Sequence, residues 1–411
     1  MSVPRSAPYP LDALQAVALH TQGLEGPHHD GILDVVRRVG CVQIDTLHRV
    51  QRSQYLVIWS RLGQYDPAEF DRLMFGDGER RLFEYWRHAA SIIPLDYYRY
   101  SIPAMQHHRE GASQGWQEWL ADAENQRMLS HVRERIEQEG PLRVADFKYD
   151  GPKRGTWWDW KPAKIALEHL YNTGDAMIAN RVNFHRVYDL RERVLPDWVD
   201  TTPPTREEAM RFHVEQGLRA LGVCRPDHTA SYAFTYPTVV RPHVAALVEE
   251  GTVIEIHGEL ASGEEGALVI HRDNLPLLEQ AADGGLPVER TTFLSPFDSL
   301  FWAAGRDEAF WGFQQRLEAY KRAEDRIWGY FSLAILRRGR LIGRFDPKLE
   351  RKIGTLRLEH LHLEPGVEPE EALVADVAGA MRDFMAFHSA TELVVEHSNP
   401  PEFGDKLLAA L

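Results

Sequence analysis

Across its first two thirds this sequence writes one order of elements three times: amphipathic helices, then a pair of extended segments. No other feature restricts the fold as much. In the first pass, apolar residues recur at helical spacing from Pro10 to His20 (Leu11, Leu14, Val17, Leu19) and from Asp30 to Val39 (Ile32, Leu33, Val35, Val36), where Gly40 supplies the stop. The spacing next predicts a long helix from about Leu47 to Leu62, then one from Pro67 to Met74 that opens on the early proline helix starts favour. Leu82–Trp86 and Ala89–Pro94 read as strands joined tightly at Arg87–His88. The second pass has helices at Leu129–Glu139, ended by Gly140, and at Pro162–Asn172, with strands at Ala176–Asn180 and Phe184–Leu190. The third has helices at Arg206–Leu221, Pro226–Phe234 and Pro237–Glu250. Its strands, Val253–His257 and Ala267–His271, are joined by the turn Gly263-Glu264-Glu265-Gly266. Only the order recurs; the passes are not close sequence repeats.

Helices leading into a two-stranded wing describe a winged helix-turn-helix, so three such motifs are expected in tandem. After Pro287 the pattern changes to strands at Tyr330–Leu336, Arg340–Phe345, Thr355–Leu363 and Glu392–Glu396, interrupted by a helix at Glu370–His388. That describes a small β-barrel or partly open sheet with one packed helix. The expected fold is therefore α+β, in four domains spanning residues 1–118, 119–201, 202–286 and 287–411. A chain of 411 residues is too long for one core, and its 44% hydrophobic content excludes a disordered protein. Two cysteines, Cys41 and Cys224, are too few for a disulfide scaffold. The segment Met1–Tyr9 has no apolar signal core, and no run of ~18 apolar residues predicts a membrane span. A cytosolic protein with no membrane partner is expected.

A net charge of -14 argues against a nucleic-acid binder until its distribution is read. From Arg316 to Arg357 there are 12 Lys/Arg against 5 Asp/Glu, whereas from Leu358 to Leu411 there are 2 against 11. A basic patch backed by an acidic face can draw a polyanion to one side of an acidic molecule. Two expected loops, Arg337–Arg340 and Asp346–Lys352, carry most of the positive excess. A solvated face with no partner is the alternative for either charge run.

In Gly40-Cys41-Val42-Gln43-Ile44-Asp45-Thr46-Leu47, alternation sends Val42 and Ile44 into a core and leaves Gln43 and Asp45 on the opposite face. An amide and a carboxylate side by side can hold a water or face a cation. Arg49, Arg52 and Arg61, with Tyr55 and Trp59, give them a basic and aromatic setting. The alternative is a helix cap at Asp45 or Thr46 with Gln43 merely solvated.

Several separated motifs carry a resemblance over nearly the whole length. They are Gln43-Ile44-Asp45-Thr46, Ser60-Arg61-Leu62, Phe83-Glu84-Tyr85-Trp86 with His88, Trp157-Trp158-Asp159-Trp160-Lys161-Pro162, Ser295-Pro296-Phe297-Asp298 and Arg344-Phe345-Asp346-Pro347-Lys348. The chain resembles the bacterial winged-helix DNA glycosylases of the AlkZ/YcaQ type. The resemblance implies three tandem winged-helix motifs braced by a C-terminal β-barrel. It also implies removal of N7-alkylated purines and unhooking of DNA interstrand crosslinks. Its catalytic signature in one branch is Gln-x-Asp, here Gln43 and Asp45, and that branch is the less substrate-restricted one.

The chemistry suits those residues. Alkylation at N7 makes the purine a cationic leaving group, and its departure leaves an oxocarbenium-like sugar. Asp45 would stabilise that cation and align or deprotonate water, while Gln43 fixes the water by hydrogen bonding. One carboxylate suffices, because a cationic leaving group needs no acid. A sugar hydrolase would need a second positioned carboxylate, and none partners Asp45 convincingly. A non-catalytic winged-helix regulator is the remaining alternative; it would usually carry one recognition helix per subunit and dimerise on a palindrome.

The candidate DNA contacts are Arg49, Arg52, His88, Lys161, Lys164, Arg344, Lys348, Arg351 and Lys352, with Arg154 also bordering the second unit. Structural roles compete for His88 and for the tryptophans Trp157, Trp158 and Trp160, and surface solvation competes for the lysines. His360 and His362 stand at i, i+2 but have no third ligand at a suitable spacing, so neither metal nor cofactor is expected. The expected partner is double-stranded DNA carrying alkylated purines or crosslinks, and the expected state is a monomer.

Overall fold

The computed structural model describes residues 5–26, 31–147 and 162–411, so Arg154 and the motif from Trp157 to Lys161 lie outside the described residues. Packing divides the chain into two units. One holds residues up to Pro67, Arg87–Ala89 and His213–Leu411; the other holds Ala68–Trp86 and Ala90–Phe212.

The first unit is organised by a six-stranded sheet in the order Glu392–Val395, Thr355–Leu363, Arg340–Glu350, Leu333–Arg337, Thr291–Leu294, with Ser398–Asn399 also paired to Thr355–Leu363. Arg338 and Gly339 both take positive φ (45° and 87°), the twist a two-residue hairpin connection requires. The segment Asp346–Lys352, expected as a loop, is strand as far as Glu350. Leu333 at the end of the neighbouring strand pairs with Phe345, so beyond it that side of the ladder is open. A bulge between Asp346 and Pro347 relaxes the other side. Pro347 is tolerated there because no partner needs the N–H it lacks.

Glu392–Val395 joins the sheet in parallel, which demands a crossover, and the helix Glu371–Phe387 supplies it. Val377, Met381 and Phe384 of that helix share one core with Phe293, Phe345 and Leu358 of the sheet. Among the described residues the outer strands Glu392–Val395 and Thr291–Leu294 do not pair with each other. Of the two architectures expected after Pro287 the structure has the open sheet with a helix packed on it, and the barrel that the resemblance implied is corrected.

The helix Ser53–Leu62 enters the same core through Leu56 and Trp59, whose ring lies 5.9 Å from Phe293 and 5.0 Å from Phe384. It begins at Ser53 rather than Leu47 because backbone carbonyls ahead of it have other partners. Leu349 N–H donates to Arg49 O at 3.2 Å, and Arg351 Nη2 donates to Val50 O. Arg61, near the end of this helix, is fully buried and forms a two-pronged ion pair with the equally buried Asp298. Gln22 Oε1 accepts from Arg61 Nη2 at 3.3 Å and from Ser299 Oγ at 2.5 Å. Two of the sequence motifs, Ser60-Arg61-Leu62 and Ser295–Asp298, are thus the two halves of one buried clasp.

A smaller sheet in the first unit has the order Val223–Cys224, Glu265–His271, Val253–Glu259. Tyr9 adds two backbone bonds to its edge, N to His257 O and O from Glu259 N, each 2.9 Å. Leu14 and Val17 of the helix Leu11–Thr21 pack on its Ile256 and Ile270.

The second unit contains the hairpin Ala176–Val182 with His185–Leu190 and all but the turn residues Arg87–Ala89 of the hairpin Leu82–Arg87 with Ala89–Pro94. Glu84, from the Phe83-Glu84-Tyr85-Trp86 motif, is buried and accepts from Arg181 (2.8 and 2.9 Å) and Arg186 (2.6 Å). Arg186 passes the network on to Glu168. No helix among the described residues is long and apolar enough to cross a membrane.

Candidate active site

Alternation holds through the segment that carries Gln43 and Asp45. Val42 and Ile44 are buried while Gln43 and Asp45 are half-buried, although regular pairing covers only Val42–Gln43. Asp45 therefore stands just past a short strand, at the head of an irregular stretch that lasts to Arg52. Its Oδ1 accepts the Leu47 N–H at 2.8 Å, a local turn in place of the helix cap that competes for it in the sequence. Ser53 Oγ donates to Gln43 O at 3.4 Å and so ties the strand to the start of the helix. Burial raises the Asp45 carboxyl above its ordinary value, against the Leu47 and Thr46 N–H groups and the Arg52 guanidinium, which pull the other way. A carboxylate held at one oxygen and half-desolvated is a stronger partner for a cation than one loose in water.

Cationic side chains gather around this stretch. Arg52 donates Nη1 to Thr46 O at 3.1 Å. Arg49 pairs with Glu359 and lies 5.3 Å from the Tyr330 ring, and Lys348 Nζ stands 3.7 Å from the same Glu359. Arg351 Nη2 lies 2.8 Å from His48 Nε2, and Lys352 is exposed beside it. Burial, followed by the charges of Arg351 and Arg52, holds His48 below its usual value. Arg49, Arg52, Lys348 and Arg351 thus form one rim by way of the Arg340–Glu350 strand and its turn, and Lys352 follows Arg351 in that turn. Glu359 and Tyr330 are members the sequence did not single out, since an acid facing two bases is legible only once register puts Lys348 beside Arg357 and places Glu359 on the same strand.

The other candidates fall elsewhere. Arg344 is corrected from a phosphate contact to a core residue. It is 2% exposed, donates to Glu364 (2.7 Å) and Gln314 O (2.9 Å), and lies between the Phe313 and Trp328 rings at 4.0 and 4.3 Å. His88 packs flat on Trp302, with centroids 4.1 Å apart and planes 11° apart, and its Nδ1 is 3.1 Å from Ser231 O. Burial lowers it to about 4, so at neutral pH it is a packed neutral ring and offers a phosphate no charge. Lys164 lies on the helix Pro162–Asn172 of the second unit, and Lys161 is outside the described residues. The rings of His360, His362 and His397 stack at 5.8 and 5.5 Å. Among the described residues no group of three or more His, Cys, Asp or Glu could hold a metal ion.

A carboxylate, an amide and a cationic rim fit hydrolysis of a bond on a polyanion, and similarity to known proteins points the same way. A family model described as DNA glycosylase AlkZ-like matches residues 36–387, a span that includes Gln43, Asp45 and the rim. The solved structure of the Streptomyces sahachiroi DNA glycosylase AlkZ aligns with a TM-score of 0.63 over 95% of this chain and 100% of that one, at 14% identity. At that identity the likeness speaks to the mixed α and β fold alone. The family match is what classifies the molecule: this chain belongs to the AlkZ-like family and is a DNA glycosylase.

Proposed function

We propose that this DNA glycosylase hydrolyses the N-glycosidic bond of N7-alkylated purines in duplex DNA, unhooks crosslinks built on such purines, and leaves an abasic site. The observation that carries this reading is Asp45 itself, anchored through one oxygen on the Leu47 N–H and half-buried beside a cationic rim. The alkylated purine leaves as a neutral base, its charge passing to the sugar. Asp45 stabilises the resulting oxocarbenium-like carbon and takes the proton of the attacking water, while the Gln43 amide orients that water. No acid is required, which explains why a single carboxylate can serve. Arg49, Arg52, Lys348, Arg351 and Lys352 hold phosphates, and the three helix-and-hairpin passes act as winged-helix units along the duplex. A bulky crosslink cannot swing into a snug pocket, so the site works from an open groove.

Single-turnover release of 7-methylguanine from a duplex tests this directly. Asp45→Ala is expected to lower the rate by about 100- to 1,000-fold while leaving duplex affinity within about two-fold. Release at the wild-type rate would remove Asp45 from the mechanism. No release by the wild type, from this or a crosslinked duplex, would overturn the substrate class.

A further inference from the structure

Between the helix Arg306–Trp311 and the strand Leu333–Arg337 the chain has little regular structure, yet it is tied down. Glu318 is 2% exposed, and its carboxylate accepts from Ile327 N–H (2.8 Å), Trp328 N–H (2.7 Å) and Lys321 Nζ (2.7 Å), closing residues 318–328 into a ring. Burial opposes ionisation of Glu318, but those donors more than offset it and hold the carboxyl below the usual range. Arg326 closes the ring a second time, reaching the carbonyls of Glu318 (3.3 Å) and Lys321 (2.9 Å). At its root Gly329 has φ 111°, and a Cβ there would sit 2.3 Å from Asp346 Oδ2. Only glycine lets that carboxylate reach the N–H groups of Tyr330 (2.5 Å) and Phe331 (3.0 Å).

This braced ring turns two large apolar side chains outward, Tyr320 at 80% and Ile327 at 64% exposure. The loop itself is charge-balanced, Lys321, Arg322 and Arg326 against Glu318, Glu324 and Asp325, with Lys321 paired to Glu318 and Arg322 to Asp325, so what its surface offers a partner is the two apolar side chains. The loop's root adjoins the candidate site: the Tyr330 ring has Arg49 at 5.3 Å and Arg326 at 4.9 Å. A slight desolvation and, after it, the charge of Asp45 raise the hydroxyl of the largely exposed Tyr320.

We infer that residues 318–328 are a preformed probe that sets Tyr320 and Ile327 against the base stack beside the attacked nucleotide, which makes this loop the element that distinguishes damaged from sound duplex. The inference rests on the placement of the reaction at Asp45. Apolar wedges that enter a base step must open it, and opening is easiest where damage has already weakened stacking. A wedge of fixed shape therefore senses a lesion without reading sequence, and an aromatic ring stacks on any base.

A duplex with 2-aminopurine beside a tetrahydrofuran abasic analogue reports unstacking as a rise in fluorescence and requires no chemistry. The full-length protein is expected to produce the rise. Tyr320→Ala/Ile327→Ala is expected to lose most of it and to release 7-methylguanine about 10- to 100-fold more slowly, with affinity for undamaged duplex nearly unchanged. Both side chains are exposed, so an unchanged thermal midpoint should accompany the defect. Tyr320→Phe keeps the ring and is expected to keep the rise. An undiminished rise in the double variant overturns the inference, and so does a Tyr320→Phe as defective as alanine, which would assign the effect to the hydroxyl. Asp45→Ala separates the two assignments, since it is expected to lose release and retain the rise. If it releases base normally, the catalytic placement falls and the fluorescence alone decides the wedge.

Discussion

At the scale of the residue, Asp45 is held between burial, which raises its carboxyl, and the Leu47 and Thr46 N–H groups with Arg52, which lower it, and burial prevails. A reaction that needs the carboxylate should therefore fade on acidification at a pH above the ordinary aspartate value of about 4. A pH profile of single-turnover release measures this. A limb at or below the ordinary value, or one that survives in Asp45→Asn, would detach the titration from Asp45. The same shift means that ionising Asp45 works against folding, so Asp45→Asn is expected to hold or raise the thermal midpoint. The pair Gln43 and Asp45 was legible in the sequence because alternation along an extended segment is decided locally. Arg344 was not: its burial depends on Glu364, Phe313 and Trp328, none of them its neighbours in sequence, and a basic residue in a basic run reads as surface.

Elements show the same division. Four strands and one helix after Pro287 were readable from periodicity, and Thr355–Leu363 spans the residues expected of it, whereas the strand Thr291–Leu294 and the helices Arg306–Trp311 and Pro401–Ala410 were not anticipated. Where the helix ahead of Arg61 would start was not readable, since tertiary donors from Leu349 and Arg351 take carbonyls that a longer helix would have used. The choice between a barrel and a partly open sheet with one packed helix stayed undecided, because strand count does not say whether a sheet closes on itself or packs on a helix. The Arg61–Asp298 pair fixes the end of the helix Ser53–Leu62. Removing one partner strands a buried charge, so Arg61→Met is expected to cost about 3–5 kcal/mol in urea unfolding. Adding Asp298→Leu should restore part of that loss. A double variant no more stable than Arg61→Met alone would show that the other bonds of Arg61, to Gln22 and Val57, carry the effect.

For the molecule as a whole, stability should depend on acid through histidines kept neutral by burial. His88, His362 and His388 are lowered to about 4 and His228 to about 3. An unfolded chain takes up these protons near 6.5, so between about 6.5 and about 4 the unfolded state binds more of them and stability falls as pH falls. The urea midpoint is expected to drop from pH 7 to pH 5 by an amount worth about 2 kcal/mol or more. A midpoint flat over that window would mean that these rings are hydrated on a timescale the static packing conceals.

Leu56 and Trp59, on the helix that follows Asp45, sit in one core with Phe293, Phe345 and Phe384, more than two hundred residues further along the chain. The position of Asp45 is thus set from both ends of the sequence at once. Recombination between relatives that exchanged the C-terminal sheet as a cassette would pass on Gln43 and Asp45 unaltered in letter yet set in a foreign core. In this architecture a change in the core of the long sheet reaches the segment that carries Gln43 and Asp45 by way of Leu56 and Trp59.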